Sequence, residues 1–301
     1  MIMKKNKNFK GVFPAVITTF DGDEKVDEHR TGDFIDHLVE RGVHGIYLLG
    51  TNGEAPLLTF KEKKKIIDVA MRRVEGRVPV IAGTMCNSTK KTIKLSKYAE
   101  EKGADAVHVI VPYYYPVKEF ALKKHIDQIS DEIDIPIFLY SIPQFTGNEL
   151  KGSTLIELTK NRDLIGLKDS SGDIELFYRT LVEVEKRRED FVFFGGNDSL
   201  IFSYLMLGGD GVVTAVGNAF PRLVVDIYEK YKRGDIEAVK EKQRKVLEIK
   251  NIFESYPLMS AVKGTLKVKG YDYGDLREPL HSLDRRELND LEEELKKIDA
   301  I

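Results

Sequence analysis

Two hydrophobic patterns alternate along this chain. One is a short apolar run with little polar alternation: Val12–Thr18, Gly45–Gly50, Val78–Gly83, Ala106–Val111, Ile135–Tyr140, Leu164–Lys168, Phe191–Gly195 and Gly211–Ala215. Such a run, bounded by turn residues, reads as a strand buried on both faces. The other is a longer stretch whose apolar residues recur three and four apart, the period of a helix with one face on a core. Asp27–Arg41 sets Phe34, Ile35, Leu38 and Val39 on one side, and Thr59–Val74 does the same with Ile66, Ile67, Val69 and Ala70. The second of these opens with Thr59 and Glu62 at capping-box spacing. Thr89–Lys102, Ala121–Glu132, Leu155–Lys160, Ile174–Arg187 and Leu200–Leu207 follow suit. Eight strand-then-helix units in succession predict an α/β fold, a parallel sheet closed into a (β/α)8 TIM barrel. A doubly wound open sheet is the competitor, but no Gly-x-Gly-x-x-Gly follows the first strand.

Beyond about Phe220 the strand signals stop. Asp226–Lys232, Ile236–Tyr256, Met259–Val268 and Arg285–Ile298 are helical in pattern, punctuated by Gly234, Pro257, Gly270 and Gly274. The expected division is a barrel domain over residues 1–233 and a C-terminal all-helical extension over 234–301. No low-complexity linker separates them, so the extension is expected to pack on the barrel.

The 47 basic and 49 acidic residues nearly cancel, which argues against a nucleic-acid partner. No apolar run approaches the roughly 18 residues that span a bilayer, and the basic start Met1 to Lys10 lacks a following apolar core of signal-peptide type. No membrane partner is expected. The single cysteine, Cys86, excludes an internal disulfide framework and fits a reducing cytoplasm. None of the six histidines has a His-x-x-x-His partner, so no metal is expected.

The chemistry is then sought where a parallel barrel carries it, at the C-terminal ends of the strands. The sixth run meets Lys168 in Leu164-Ile-Gly-Leu-Lys-Asp-Ser-Ser-Gly172. A lysine at the inner end of a buried strand is costly, and burial favours its neutral, nucleophilic form, which condenses with ketones to imines. Strand two ends in Gly50-Thr-Asn-Gly-Glu54, strand four in Pro112-Tyr-Tyr-Tyr-Pro116, and strand five in Tyr140. The turns after strands seven and eight bring Gly196, Asn197 and Asp198, then Val213, Thr214 and Asn218. Asp198 also suits a helix N-cap before Ser199-Leu-Ile-Phe.

Gly50-Thr-Asn-Gly-Glu54 and Pro112-Tyr-Tyr-Tyr-Pro116, together with Leu139-Tyr-Ser-Ile-Pro143 and Gly166-Leu-Lys-Asp169, give the chain its likeness. It resembles the dihydrodipicolinate synthase and N-acetylneuraminate lyase family of pyruvate-dependent class I aldolases, from about Gly11 to Asn218 and more loosely beyond. The resemblance implies that Lys168 forms a Schiff base with a 2-oxo acid, with no other cofactor, and that Tyr140 is the acid/base phenol. Thr51 and Tyr114 match the proton-relay positions, and the matching tyrosine in relatives is often contributed across a dimer interface. That implies a homotetramer, a dimer of dimers. Gly50, Thr51 and Asn52 match the carboxylate cradle; Gly196 and Val213 match positions lining the pyruvate pocket. Asn197, Asp198, Thr214 and Asn218 would hydrogen-bond a polyol tail.

Three departures bear on the substrate. Phe145 stands where dihydrodipicolinate synthases place an arginine for the second substrate's carboxylate, and it cannot replace a bidentate guanidinium. Their Thr-Thr pair is Thr51-Asn52 here. Asp198 is followed by Ser199, where sialic acid lyases carry an acidic residue. The Tyr114-Tyr115-Pro116 ending is similar to that of sugar-acid aldolases. The resulting expectation is a lyase acting on a 2-keto-3-deoxy sugar acid such as 2-keto-3-deoxygluconate. The alternatives are a dihydrodipicolinate (4-hydroxy-tetrahydrodipicolinate) synthase using another basic group for the semialdehyde, and a non-catalytic ligand-binding barrel.

Overall fold

The computed structural model describes residues 8–301, and the following concerns those residues. Eight parallel strands carry the fold: β1 (Gly11–Pro14), β2 (Ile46–Leu48), β3 (Val80–Gly83), β4 (Ala106–Ile110), β5 (Ile137–Ser141), β6 (Leu164–Asp169), β7 (Val192–Gly195) and β8 (Gly211–Thr214). Their order is β1-β8-β7-β6-β5-β4-β3-β2, each pair parallel. Between the two ends of that order, His44 N–H donates to Val12 O at 2.9 Å and Val16 N–H to Tyr47 O at 3.0 Å. These bonds draw the sheet into a nearly closed barrel.

Strand residues alternate between the barrel interior and the surrounding helices. Phe13, Ala15, Tyr47, Ile81, Ala106, Phe138, Phe194 and Val213 form one interior cluster. The outward set packs under α1 (Glu28–Glu40), α2 (Phe60–Val74), α3 (Thr89–Glu101), α4 (Glu119–Ser130), α5 (Pro143–Thr146), α6 (Gly152–Leu158), α7 (Ile174–Glu185), α8 (Ile201–Met206), α9 (Val216–Ala219) and α10 (Pro221–Lys232). Three more helices follow: α11 (Ile236–Phe253), α12 (Leu258–Val268) and α13 (Arg285–Lys297). The capping box at α2 forms, with Thr59 accepting from Glu62 N–H and Glu62 returning to Thr59 N–H at 2.8 Å.

The observed strands are shorter than the apolar runs. The first run was expected to extend to Thr18, but regular pairing ends at Pro14, which has no N–H to give. Thr18 and Thr19 instead turn the chain: Thr18 Oγ1 donates to Gly53 O at 2.6 Å, and Thr19 Oγ1 shares a 2.6 Å bond with Thr31.

The helices of the extension are bonded to the barrel rim. Gln243 of α11 accepts from Phe202 N–H and donates to Asp198 O, both at 3.0 Å. Lys263 of α12 pairs at 2.8 Å with Glu54 in the turn after β2, and both are buried. Arg277 reaches Glu62 of α2 at 2.7 Å.

Candidate active site

Parallel register sets the centre of the site. Tyr140 of β5 lies beside Lys168 of β6, and Lys168 beside Phe194 of β7. Tyr140 and Lys168 both point inward, and Lys168 is 4% exposed. Its Nζ lies 4.0 Å from the centre of the Tyr140 ring and 4.7 Å from that of Tyr47. Aromatic faces attract a cation but give an amine no hydrogen-bond acceptor comparable to water. Desolvation therefore dominates and pushes the Lys168 pKa down to about 7, with the Asp198 carboxylate pulling the other way. Near neutrality much of this amine is free base.

Below it the floor is apolar and uncharged. Tyr47 stacks on His108, ring centres 4.0 Å apart, and burial holds His108 neutral with its pKa near 3. His108 Nε2 lies 2.8 Å from Leu48 O, within hydrogen-bond reach.

Tyr140 is the protonated partner. Burial raises its pKa to about 12, against the hydrogen bonds of Thr51 and Ser170. Its hydroxyl and Thr51 Oγ1 are 3.1 Å apart. The chain thus sets a free amine, a phenol and a threonine hydroxyl together. A phenol so placed can hand a proton to a reacting oxygen and recover it through Thr51.

Glycines of the rim turns serve mainly close approach. A Cβ on Gly196 would stand 2.0 Å from Ser170 Oγ and 3.1 Å from Lys168 Cε. In the Gly50–Glu54 turn the left-handed residues are Leu49 and Glu54, and a Cβ on Gly53 would lie 2.9 Å from Val16 O. Gly53 is needed for room.

A cavity of about 230 Å³ opens above Lys168. Of the residues named from sequence, Thr51, Asn52, Tyr140, Phe145, Lys168, Gly196, Asn197, Asp198 and Val213 line it. Gly50, Thr214, Asn218 and Tyr114 do not. Gly50 lies behind the turn, and its carbonyl accepts from Ala55 N–H at 3.4 Å. Thr214 Oγ1 accepts from Gly217 N–H at 2.8 Å, in the first turn of α9. Tyr114 is 81% exposed at a left-handed φ of 78° and packs against Tyr115 instead.

Asp198 departs from the expected helix cap. Asn197 takes that place, accepting from Ser199 N–H. The Asp198 carboxylate accepts from Ala215 and Val216 N–H through Oδ2, both at 3.0 Å, leaving Oδ1 without a partner. Asn52 Oδ1 is likewise buried and unpartnered. Asn218 Nδ2 is occupied by Ala15 O and Ala215 O.

Residues overlooked in the sequence also line the cavity, among them Gln144, Ser170 and Lys250. Ser170 was within reach of sequence reasoning, since it lies two positions after Lys168 on the same rim. Beyond Thr51 and Phe145 lies a second, apolar cavity of about 290 Å³, bordered also by Tyr113 and Met259. Among the described residues no group of three or more His, Cys, Asp or Glu is placed to hold a metal ion, and no helix is long and apolar enough to cross a membrane.

A parallel barrel with a desolvated lysine, a phenol and a threonine hydroxyl at its C-terminal rim fits a lyase of the aldolase class. The chain belongs to the dihydrodipicolinate synthetase family, whose model matches residues 8–298. It is 40% identical to an uncharacterized DapA-like lyase of Halobacterium salinarum, over 95% of this chain and 92% of that protein. It is 35% identical to the 4-hydroxy-tetrahydrodipicolinate synthase of Methanopyrus kandleri, over 96% of each. Among solved structures it is similar to YagE, a prophage protein of the dihydrodipicolinic acid synthase family from E. coli K12, in complex with pyruvate. That match has a TM-score of 0.94 and 30% identity, and covers 97% of this chain and 99% of YagE. The protein is accordingly an enzyme, a pyruvate-dependent aldolase or lyase acting on small molecules. The family's chemistry runs through a lysine imine of pyruvate without a metal cofactor.

Proposed function

We propose that the enzyme cleaves a 2-keto-3-deoxy sugar acid of the 2-keto-3-deoxygluconate type to pyruvate and an aldehyde, with Lys168 as the nucleophile. The observation that carries this reading is the near-neutral amine of Lys168 held 4.0 Å from the Tyr140 ring. The amine attacks the 2-oxo carbon and water leaves, giving an iminium. Tyr140 takes the proton of the C4 hydroxyl as its own phenolic proton passes to Thr51 and on to water. The C3–C4 bond breaks, its electrons move into the iminium to form an enamine, and the aldehyde departs. Protonation of the enamine at C3 and hydrolysis release pyruvate and restore the amine.

The substrate half of the reading is supported by the polar residues that line the cavity, notably Asn52, Asn197 and Asp198. It is also supported by Phe145, which is 64% exposed at the rim and offers no charge. Gly196 and Val213 border the pyruvate end; Asn197 and Asp198 suit a polyol.

A homotetramer, a dimer of dimers, completes the proposal. The aromatic loop of Tyr114 and Tyr115 is tethered rather than loose: Asn148 Nδ2 donates to Pro112 O at 2.8 Å and to Tyr115 O at 2.9 Å. A fixed, exposed aromatic pair suits docking on a second copy, where Tyr114 would extend the Thr51–Tyr140 relay. The lone thiol, Cys86, is buried and unpaired, consistent with a cytoplasmic setting.

A second reading, condensation of pyruvate with aspartate semialdehyde, is favoured by relatives such as the Methanopyrus kandleri synthase. The two separate in one experiment: pyruvate release from 2-keto-3-deoxygluconate against condensation with aspartate semialdehyde. Activity only in the second assay overturns the sugar-acid reading. Failure of borohydride to fix pyruvate on Lys168 overturns both and leaves a ligand-binding barrel.

A further inference from the structure

Among the residues lining the active-site cavity, the side chains that can carry positive charge are Lys168 and Lys250. Lys168 is committed to the imine. Lys250 has no such role, and its placement is specific. It lies on α11, seven positions after Gln243, so the two share a face of the helix. Gln243 fixes that face to the barrel through Phe202 N–H and Asp198 O, and Val246 and Ile249 beside it are fully buried. Lys250 therefore emerges, half-buried, where the anchored face of α11 meets the cavity.

It is also unspent. Lys240, Lys242 and Lys245 of the same helix pair with Glu237, Asp226 and Glu248. Among the described residues Lys250 Nζ has neither a hydrogen bond nor an ion pair. The anion inside the cavity is Asp198, whose Oδ2 already receives two backbone N–H groups. Phe145 at the rim supplies nothing that binds charge. A lysine ammonium that borders a polar cavity and has no ion pair of its own is matched by a ligand anion, because a charge-assisted hydrogen bond there is stronger than at an open surface.

We propose that Lys250 binds an anionic group, a carboxylate or a phosphate monoester, at the end of the substrate's aldehyde half remote from the imine. This rests on the Lys168 imine chemistry set out above and adds a specificity: the preferred aldehyde is negatively charged at its far end.

The test is condensation with pyruvate of three aldehydes: glyceraldehyde, glyceraldehyde 3-phosphate and aspartate semialdehyde. Each is measured with the wild type, Lys250→Met and Lys250→Arg, alongside borohydride trapping of pyruvate on each protein. The wild type is expected to favour an anionic aldehyde in kcat/KM. Lys250→Met should shrink that preference about ten- to hundredfold, the loss of one charge-assisted hydrogen bond, and Lys250→Arg should restore most of it. Preference for glyceraldehyde 3-phosphate assigns a phosphate, and preference for the semialdehyde a carboxylate. A ratio of anionic to neutral kcat/KM that Lys250→Met leaves unmoved, with the pyruvate adduct still forming, overturns the role of Lys250 alone. Absence of the adduct in the wild type overturns the imine chemistry and this proposal with it.

Discussion

Imine formation requires free amine, so its rate should follow the neutral fraction of Lys168. With the pKa pushed down to about 7, about half of the amine is free at pH 7 and about nine tenths at pH 8. A lysine near its usual 10.4 would offer only about four parts in ten thousand at pH 7, so burial raises the reactive fraction about a thousandfold. The perturbation that tests this is Asp198→Asn. Asp198 is the charge that pulls the Lys168 pKa back up against desolvation. The amide keeps an oxygen for Ala215 and Val216 N–H but removes that charge. The Lys168 pKa should then fall further, and the midpoint of imine formation should move to lower pH.

The assay mixes enzyme with pyruvate across a range of pH, quenches with borohydride at timed intervals, and counts the adduct by intact mass. In the wild type the initial rate should rise through about pH 7 and level off above about pH 8. A wild-type rate still climbing at pH 10 would mean an ordinary solvated lysine, and the account of the site would be wrong. A midpoint displaced to higher pH in Asp198→Asn would refute the assigned sign of that carboxylate.

Tyr140→Phe should lower kcat about 10²–10⁴-fold, the range for a lost acid/base group, while borohydride still fixes pyruvate on Lys168; loss of trapping as well would assign the phenol to imine formation. Gly196→Ala should slow trapping, because its Cβ meets Ser170 Oγ and Lys168 Cε; unchanged trapping kinetics would show that the lysine has room to shift. Lys168→Met should be more stable than wild type at pH 6 in urea unfolding, by up to about 5 kcal/mol. From pH 7 to 10.5 the unfolded chain protonates this amine and the native state does not, so wild-type stability rises with pH over that window and the gap closes; a gap independent of pH would contradict the lowered pKa. Lys263→Met should cost about 3–5 kcal/mol by leaving Glu54 buried without its cation, with Glu54→Gln in the same chain recovering part of it; a Lys263→Met chain as stable as wild type would show the pair to be dispensable.

The barrel was legible because its strands are buried on both faces and its helices on one, two conditions that write distinct periods into the sequence. The pairing of Tyr140 with Lys168 follows from the same regularity, since both end consecutive strands of a parallel sheet. What the sequence hid depended on competition for hydrogen bonds. Thr214 was expected to face a ligand, yet a backbone amide three residues on captures its hydroxyl. Asp198 also suited a helix cap, yet its carboxylate bonds the turn after β8, while neighbouring Asn197 takes the cap. Lys250 was invisible for another reason. On a helix wheel it is one basic residue among many, and only the docking of α11 on the rim shows which of them meets the cavity.

That docking also changes how the C-terminal helices should be understood. The catalytic turns are short and would be mobile if held by the barrel alone, because a turn after a strand end has few backbone partners. Two of them are instead tied from outside. Lys263 of α12 holds Glu54, three residues beyond Thr51, and Arg277 N–H adds a 2.9 Å bond to the same carboxylate. Gln243 of α11 holds the Asp198 carbonyl while that residue's carboxylate bonds the turn after β8. The Thr51 hydroxyl and the Asp198 carboxylate are thus positioned by the extension, while the lysine and phenol are positioned by the sheet. A barrel stripped of its last three helices would keep Lys168 beside Tyr140 but lose the buried contacts that fix Thr51 and Asp198 around them.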